Sequence, residues 1–152
     1  MKNFLFLIGK LVFWLISPFL KLFFKTRQTT RLAIFNQNNL VTVTNYISDG
    51  FLSLPGGGIK KHETPLQALK REVMEEINFD ISQIELKYLG YFLADERFVK
   101  YQYHLWTAEV NALDFKNLKT HRPLEISQIL LISLDQLNDY RVSDEIKRAI
   151  SK

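Results

Sequence analysis

Hydrophobic and polar positions follow three different rhythms along this 152-residue chain. Residues 4–24, FLFLIGKLVFWLISPFLKLFF, are apolar almost throughout, and Asn3, Lys10, Ser17 and Lys21 form their polar line. At about 100° per residue those four fall in a stripe roughly 40° wide on a helix. From residue 32 onward, short apolar runs alternate with turn residues. Leu32–Phe35 and Leu40–Thr44, with Asn38-Asn39 between them, predict a hairpin. Phe51–Leu54 is a third short run, closed by Pro55 and three glycines. Leu86–Ala94 and Phe98–Val110 predict two strands around a turn at Asp95-Glu96-Arg97, and Ile129–Leu134 a last, fully apolar strand. Between them, Leu66, Leu69, Val73 and Ile77 recur at intervals of 3, 4 and 4, the spacing of one buried helical stripe. Thr64 and Gln67 form a capping-box pair, Pro65 suits the first helical position, and Asn78 suits a left-handed residue at the end. Ser143–Ile150 reads as a short capped helix. Strands before and after one central helix, with another helix at the end, predict an α/β fold in which helices layer a mixed sheet.

Charge divides the chain unevenly. Residues 1–31 hold six of the twenty basic side chains and no acid; the first acidic residue is Asp49. The rest carries fourteen basic against sixteen acidic side chains, so the basic excess belongs to the N-terminal tail. A nucleic-acid-binding face on the domain is therefore not expected. The chain has no cysteine, which excludes disulfides, thiolate zinc sites and a cysteine nucleophile.

The tail has its own chemistry. A spanning helix needs about 20 apolar residues, and a central lysine costs about 2.5–3.5 kcal/mol on insertion scales, which this many Phe, Leu and Ile can offset. The segment is expected either to span a bilayer with its lysines snorkelling or to lie in the interface, with a kink at Pro18. Lys10 and the lack of a small-residue cleavage site argue against a signal peptide. Lys25, Arg27 and Arg31 follow the segment and only Lys2 precedes it, which places the domain in the cytoplasm and favours anionic lipid. The expected organisation is a membrane-associating N-terminal hydrophobic helix with a basic linker over residues 1–27, and a globular domain over 28–152. The alternative is a soluble cytoplasmic protein whose helix packs on the domain or in a dimer.

The reactive side chains gather in residues 56–78. Glu72, Glu75 and Glu76 share a helical arc of roughly 100°, away from the apolar stripe. Like charges this close repel, and Arg71 and Lys70 are only partly placed to compensate. A solvated acidic face and a site for a hard divalent cation both fit. The strand ending Leu54-Pro55-Gly56-Gly57-Gly58 adds a loop whose backbone can approach a ligand closely.

Gly57, Glu63, Arg71-Glu72-Val73, Glu75-Glu76, Asn78 and Phe79 resemble the 23-residue Nudix box, G-x5-E-x7-R-E-U-x-E-E-x-G-U, where U is a bulky apolar residue. Every fixed charged position matches; Asn78 replaces the usual glycine, and Phe79 is the final apolar residue. The resemblance implies an α/β/α sandwich that uses Mg²⁺ or Mn²⁺ to hydrolyse a nucleoside diphosphate linked to another moiety. It makes Glu75, Glu76 and the Gly56 carbonyl metal ligands, and Glu72 a further ligand or the base that activates water. Arg71 would orient Glu72, and Glu63 would support the loop or reach metal through water. A further acid outside the box is expected at Glu125, with Asp95 and Glu96 as alternatives. Lys60 and Lys61 are candidates for phosphate contact, His62 and His104 for acid–base work, and Tyr46, Phe51, Tyr91, Tyr101 and Tyr103 for base stacking. Two other functions remain open: a diphosphatase for a lipid-linked or membrane-proximal substrate, and a Nudix-fold binding module without catalysis. The intact set Arg71, Glu72, Glu75 and Glu76 argues against the latter.

Overall fold

The computed structural model describes residues 26–45, 51–96, 99–111 and 115–151. The apolar segment 4–24 lies outside the described residues. Among the described residues, no helix is long and apolar enough to cross a membrane.

Among the described residues, six strands form one mixed sheet: β1 Arg27–Asn36, β2 Asn39–Asn45, β3 Leu52–Ser53, β4 Lys87–Glu96, β5 Val99–Glu109 and β6 Ile126–Ser133. Helix α1 spans Pro65–Ile77 and α2 spans Asp144–Ile150. β1 and β5 run parallel over nine residue pairs, from Arg27↔Tyr101 to Phe35↔Glu109, and β4 lies antiparallel on the far side of β5. The turn between β1 and β2 is Gln37-Asn38, one residue earlier than the asparagine pair suggests, with Gln37 at φ 54°. β6 starts at Ile126, three residues before the fully apolar run, because Ile126 and Gln128 complete its ladder to β2.

Strand β1 departs from β2 almost at once. The two pair only at Phe35↔Leu40 and Asn36↔Asn39, after which β2 pairs with β6 along its whole length. The opening between them is filled by the chain from Leu52 to Ile59. Its first residues pair with β2 as β3; the rest crosses to β1, with Leu32 N–H donating to Pro55 O, Thr30 N–H to Gly57 O and Ile59 N–H to Gln28 O, each at 2.9 Å. This wedge anchors the glycine loop to the centre of the sheet by backbone bonds.

Both faces of the sheet are covered. β1 turns Leu32 and Ile34 toward α1, where they meet Val41, Val43, Leu69, Val73, Ile77 and Ile126. It turns Ala33 the other way, toward Leu40, Leu54, Leu105, Ile132, Ile146 and Ala149 under α2. Burial on both faces explains the nearly continuous apolar run of β1. The mixed sheet layered by helices agrees with the strand–helix pattern, and its α/β/α order is the one that the resemblance implies. Helix α1 begins with a complete capping box: Thr64 Oγ1 accepts from Gln67 N–H at 3.2 Å, and Gln67 Oε1 from Thr64 N–H at 2.9 Å. It ends at Asn78, left-handed at φ 53° and ψ 45°. Ser143 stands at the N-cap of α2, but its hydroxyl makes no capping bond there.

Candidate active site

Two glycines shape the loop. Gly56 sits at φ 136°, and a Cβ there would lie 2.2 Å from Thr30 O, so backbone and side chain both demand glycine. A Cβ on Gly57 would come within 2.6 Å of the Glu72 carboxylate. The loop thus lies flat against β1 on one side and against the acids of α1 on the other.

The three glutamates do not form a solvated face. Glu72 is 4% exposed and Glu76 is 3% exposed, both turned inward, while Glu75 is half-buried. The helical arc places them together; the glycine wedge then covers them. Glu76 Oε2 accepts from Gly56 N–H at 2.7 Å. Burial pushes its carboxyl up to about 7, although Arg31 and the Gly56 N–H pull the other way.

Arg71 is held from several sides. It donates from Nε to Glu63 Oε1 at 2.7 Å, from Nη2 to Glu63 Oε2 at 2.8 Å, and from Nη2 to Gly58 O at 3.0 Å. Its Nη1 donates to Glu72 Oε1. Glu63 also accepts from Lys60 N–H at 2.9 Å, and the Arg71 bonds hold its carboxyl down at about 2. Glu63 therefore ties loop to helix through Arg71. Lys70 is exposed and takes no part in this network.

Two arginines complete the site from outside the box. Arg31, in the middle of β1, donates to Leu54 O at 3.2 Å and to Gly56 O, and lies 3.9 Å from the buried Glu145 of α2. Burial lowers its affinity for a proton, but Glu145 and Glu76 outweigh that and raise its pKa. Its guanidinium is thus engaged within the domain, which removes Arg31 from the lipid-attracting basic cluster that the sequence suggests with Lys25 and Arg27. The sequence signal was slight, since Arg31 follows the polar Gln28-Thr29-Thr30 and only then does the apolar run Leu32–Phe35 begin. Arg122, in the segment before β6, pairs with Glu72 Oε2 at 3.0 Å, with Glu75 Oε2, and with Glu125 Oε2 at 3.3 Å. No local pattern marks Arg122; its position follows from backbone bonds of Lys119 and His121 to the Ile77 and Glu75 carbonyls at the end of α1.

The other candidates scatter. Glu125 is exposed and borders the site through Arg122. Lys60, Lys61 and His62 line a cleft of about 680 Å³ with Arg27, Thr29, Glu63 and Tyr101. His104 bonds Tyr88 on β4 at 2.8 Å, and burial lowers its pKa. Tyr91 is exposed beside His104, Tyr103 is buried against Phe92, and the Phe51 ring lies under Arg141. Tyr46 and the side chains of Asp95 and Glu96 lie outside the described residues.

The acids offer hard oxygen donors of the kind Mg²⁺ and Mn²⁺ prefer. Glu72 Oε2 is buried with no hydrogen-bond donor: Arg122 approaches it in charge but not in bonding direction. The absence of a Cβ at Gly57 leaves room beside that carboxylate. The donor set therefore fits a divalent cation. Among the described residues, no three acidic or histidine side chains already converge as a cage. Guanidinium groups occupy that role between Glu72 and Glu75.

The model of the NUDIX domain matches residues 25–151, five-sixths of the chain. The chain belongs to the Nudix family. The 8-oxo-dGTP diphosphatase of Proteus vulgaris is 51% identical over 37 residues, a stretch that covers 24% of this chain and 33% of that protein. Among solved structures, a MutT Nudix hydrolase from Burkholderia pseudomallei superposes with a TM-score of 0.71 at 17% identity, over 84% of this chain and 97% of its own. An Ap4A hydrolase from C. elegans superposes with a TM-score of 0.68 at 16% identity, over 83% and 93%. These structural likenesses establish the Nudix fold. The site adds that the box of this family member is complete in its charged positions, with Asn78 in the left-handed place of glycine.

Proposed function

We propose that this Nudix protein is a working divalent-metal hydrolase that cleaves the diphosphate linkage of a nucleoside diphosphate joined to another moiety. One observation carries the reading: α1 holds Glu72 and Glu76 against the Gly56-Gly57 backbone, with Glu75 on the same helical face, while Arg71, locked by Glu63, bonds Glu72. Glu72, Glu75, Glu76 and the Gly56 carbonyl would hold Mg²⁺ or Mn²⁺. Such a cation, when bound, neutralises phosphate oxygens and lowers the pKa of water. Arg71 fixes the orientation of Glu72, which leaves one Glu72 oxygen free of hydrogen bonds to take a proton. Lys60 and Lys61, exposed beside the Glu63 loop, offer point charges to the phosphates. The nucleotide class is supported by the diphosphatase relative and by the fold shared with an Ap4A hydrolase.

The test is a panel of nucleoside di- and triphosphates and dinucleoside polyphosphates with Mg²⁺, products separated as nucleotide, orthophosphate and pyrophosphate. Glu72→Gln keeps the shape but not the base, so kcat should fall about 10²–10⁴-fold. Near-normal turnover in that variant would move the base elsewhere, with Glu125 the first place to look.

We further infer that residues 1–27 form a membrane-associating segment, with the domain of 28–152 at the cytoplasmic face. The support is the acid-free apolar run of residues 4–24, followed by Lys25 and Arg27. Full-length protein should partition into membranes and need detergent for extraction. Recovery as a soluble monomer without detergent would sink the anchor and leave the soluble alternative.

A further inference from the structure

Arg71 and Arg122 both neutralise Glu72, but they are held differently. Arg71 has bonds to Glu63 and to Gly58 O that are independent of the acids it serves. Among the described residues, the Arg122 guanidinium has only carboxylate partners: Glu72, Glu75 and Glu125. Its backbone is fixed. Lys119 N–H donates to Ile77 O at 3.2 Å, His121 N–H to Glu75 O at 3.0 Å, and Ile126 N–H to Arg122 O at 2.9 Å. Its side chain is 29% exposed and has a way out to solvent. Glu125, three residues on and 53% exposed, is already 3.3 Å from Arg122 Nη1. The site therefore holds a movable charge on a fixed mount, between two carboxylates, with a third carboxylate partner outside.

We propose that Arg122 is an internal counter-ion that occupies the place of a divalent cation between Glu72 and Glu75, yields it on metal binding, and is then received by Glu125. This rests on the reading of Glu72, Glu75 and Glu76 as metal ligands. The physical reason is charge balance. Three carboxylates packed on one helical face need compensation before metal arrives; Arg71, whose Nη1 reaches Glu72 Oε1 and lies 3.6 Å from Glu75 Oε2, supplies a fixed part of it, and Arg122 supplies the part that can leave. The same guanidinium must then be displaced, so it raises the metal concentration required to load the site. A guanidinium fixed like Arg71 could not serve, because its Glu63 and Gly58 bonds would hold it in place.

The test is the binding of Mn²⁺ and Mg²⁺ to the full chain, by calorimetry and by the rise in Tm on adding metal, with no substrate present. Arg122→Gln removes the competitor, so metal should bind roughly tenfold tighter, which corresponds to about 1.4 kcal/mol for displacing the guanidinium. Its metal-free Tm should fall, and metal should raise Tm more than in the wild type. Arg122→Lys keeps a cation and should stay close to the wild type. Glu125→Gln removes the outer partner and should weaken metal binding, but only while Arg122 is present. In Arg122→Gln/Glu125→Gln the loss should vanish; persistence would make Glu125 a metal ligand and overturn its role as the receiver of Arg122. Equal metal affinity in the wild type and Arg122→Gln overturns the competition while leaving the ligand set intact. Absence of metal binding in every variant would overturn the ligand set itself, and the proposal with it.

Discussion

Glu76 combines near-complete burial with one backbone donor and a balancing arginine at charge range rather than in contact. Its carboxyl, near 4.5 when free, is pushed up to about 7 by burial. The folded chain thus keeps a proton that the unfolded chain has lost across that window. Metal-free stability should therefore fall as pH rises from about 4.5 to 7 and then level off. Metal binding has the opposite slope, because the cation displaces the proton. Affinity for Mg²⁺ should rise up to tenfold per pH unit toward pH 7 and flatten above it, and binding at pH 6 should release protons. Calorimetry at pH 6 and pH 8, in buffers of different ionisation enthalpy, measures both effects; a flat profile would mean that Glu76 is already ionised or is not a ligand. Glu63 shows how far environment separates identical side chains. Two Arg71 bonds hold it near 2, below its free value of 4.5, so the stability it contributes is complete above about pH 5.5 and is lost as pH falls toward 2.

At the scale of elements, α1 is defined at both ends by side chains that the chemistry does not use. Thr64 and Gln67 close the first turn, so the helix starts two residues after the Glu63 anchor. Asn78 closes the last, its N–H bonded to Met74 O at 3.0 Å in the left-handed region. Asn tolerates that region through its short polar side chain, while a Cβ without such help costs about 1–2 kcal/mol. Asn78→Gly should keep both stability and activity within about 0.5 kcal/mol of the wild type, and Asn78→Ala should lose about 1 kcal/mol in chemical denaturation. A large loss of activity in a stable Asn78→Gly protein would show that the amide serves the site rather than the turn. The segment before β6 is positioned by the same helix end, through the Ile77 and Glu75 carbonyls, which is how Arg122 comes to the acids.

For the whole molecule, Arg31 links the layers. It rises from the central strand, bonds the Leu54 and Gly56 carbonyls of the wedge and faces Glu145 of α2, so one guanidinium joins sheet, glycine loop and outer helix. Removing one partner of a buried pair leaves the other charge uncompensated, at a cost of about 3–5 kcal/mol. Arg31→Met should lower stability by that order, and Glu145→Gln by less, because Arg31 keeps its carbonyl partners. Urea unfolding of the two variants against the wild type checks the order. If Arg31→Met is as stable as the wild type, the pair contributes nothing net and the backbone ladder alone holds the wedge.

The Nudix box, the limits of α1 and the alternating strands were legible because each depends on residues close in sequence. Capping boxes, helical stripes and a left-handed end are set within about one turn, and the spacing from Gly57 to Phe79 records one loop and one helix. Tertiary structure decided where that helix points. The acidic arc reads equally as a solvated face until the Leu52–Ile59 wedge, held open by the divergence of β1 from β2, closes over Glu72 and Glu76. It also decided which arginines serve the acids. Arg31 reaches the loop from 25 positions upstream of Gly56, and Arg122 reaches Glu72 from 50 downstream. Contacts of that range are set by strand pairing and chain return, and a single sequence carries no periodicity that records them.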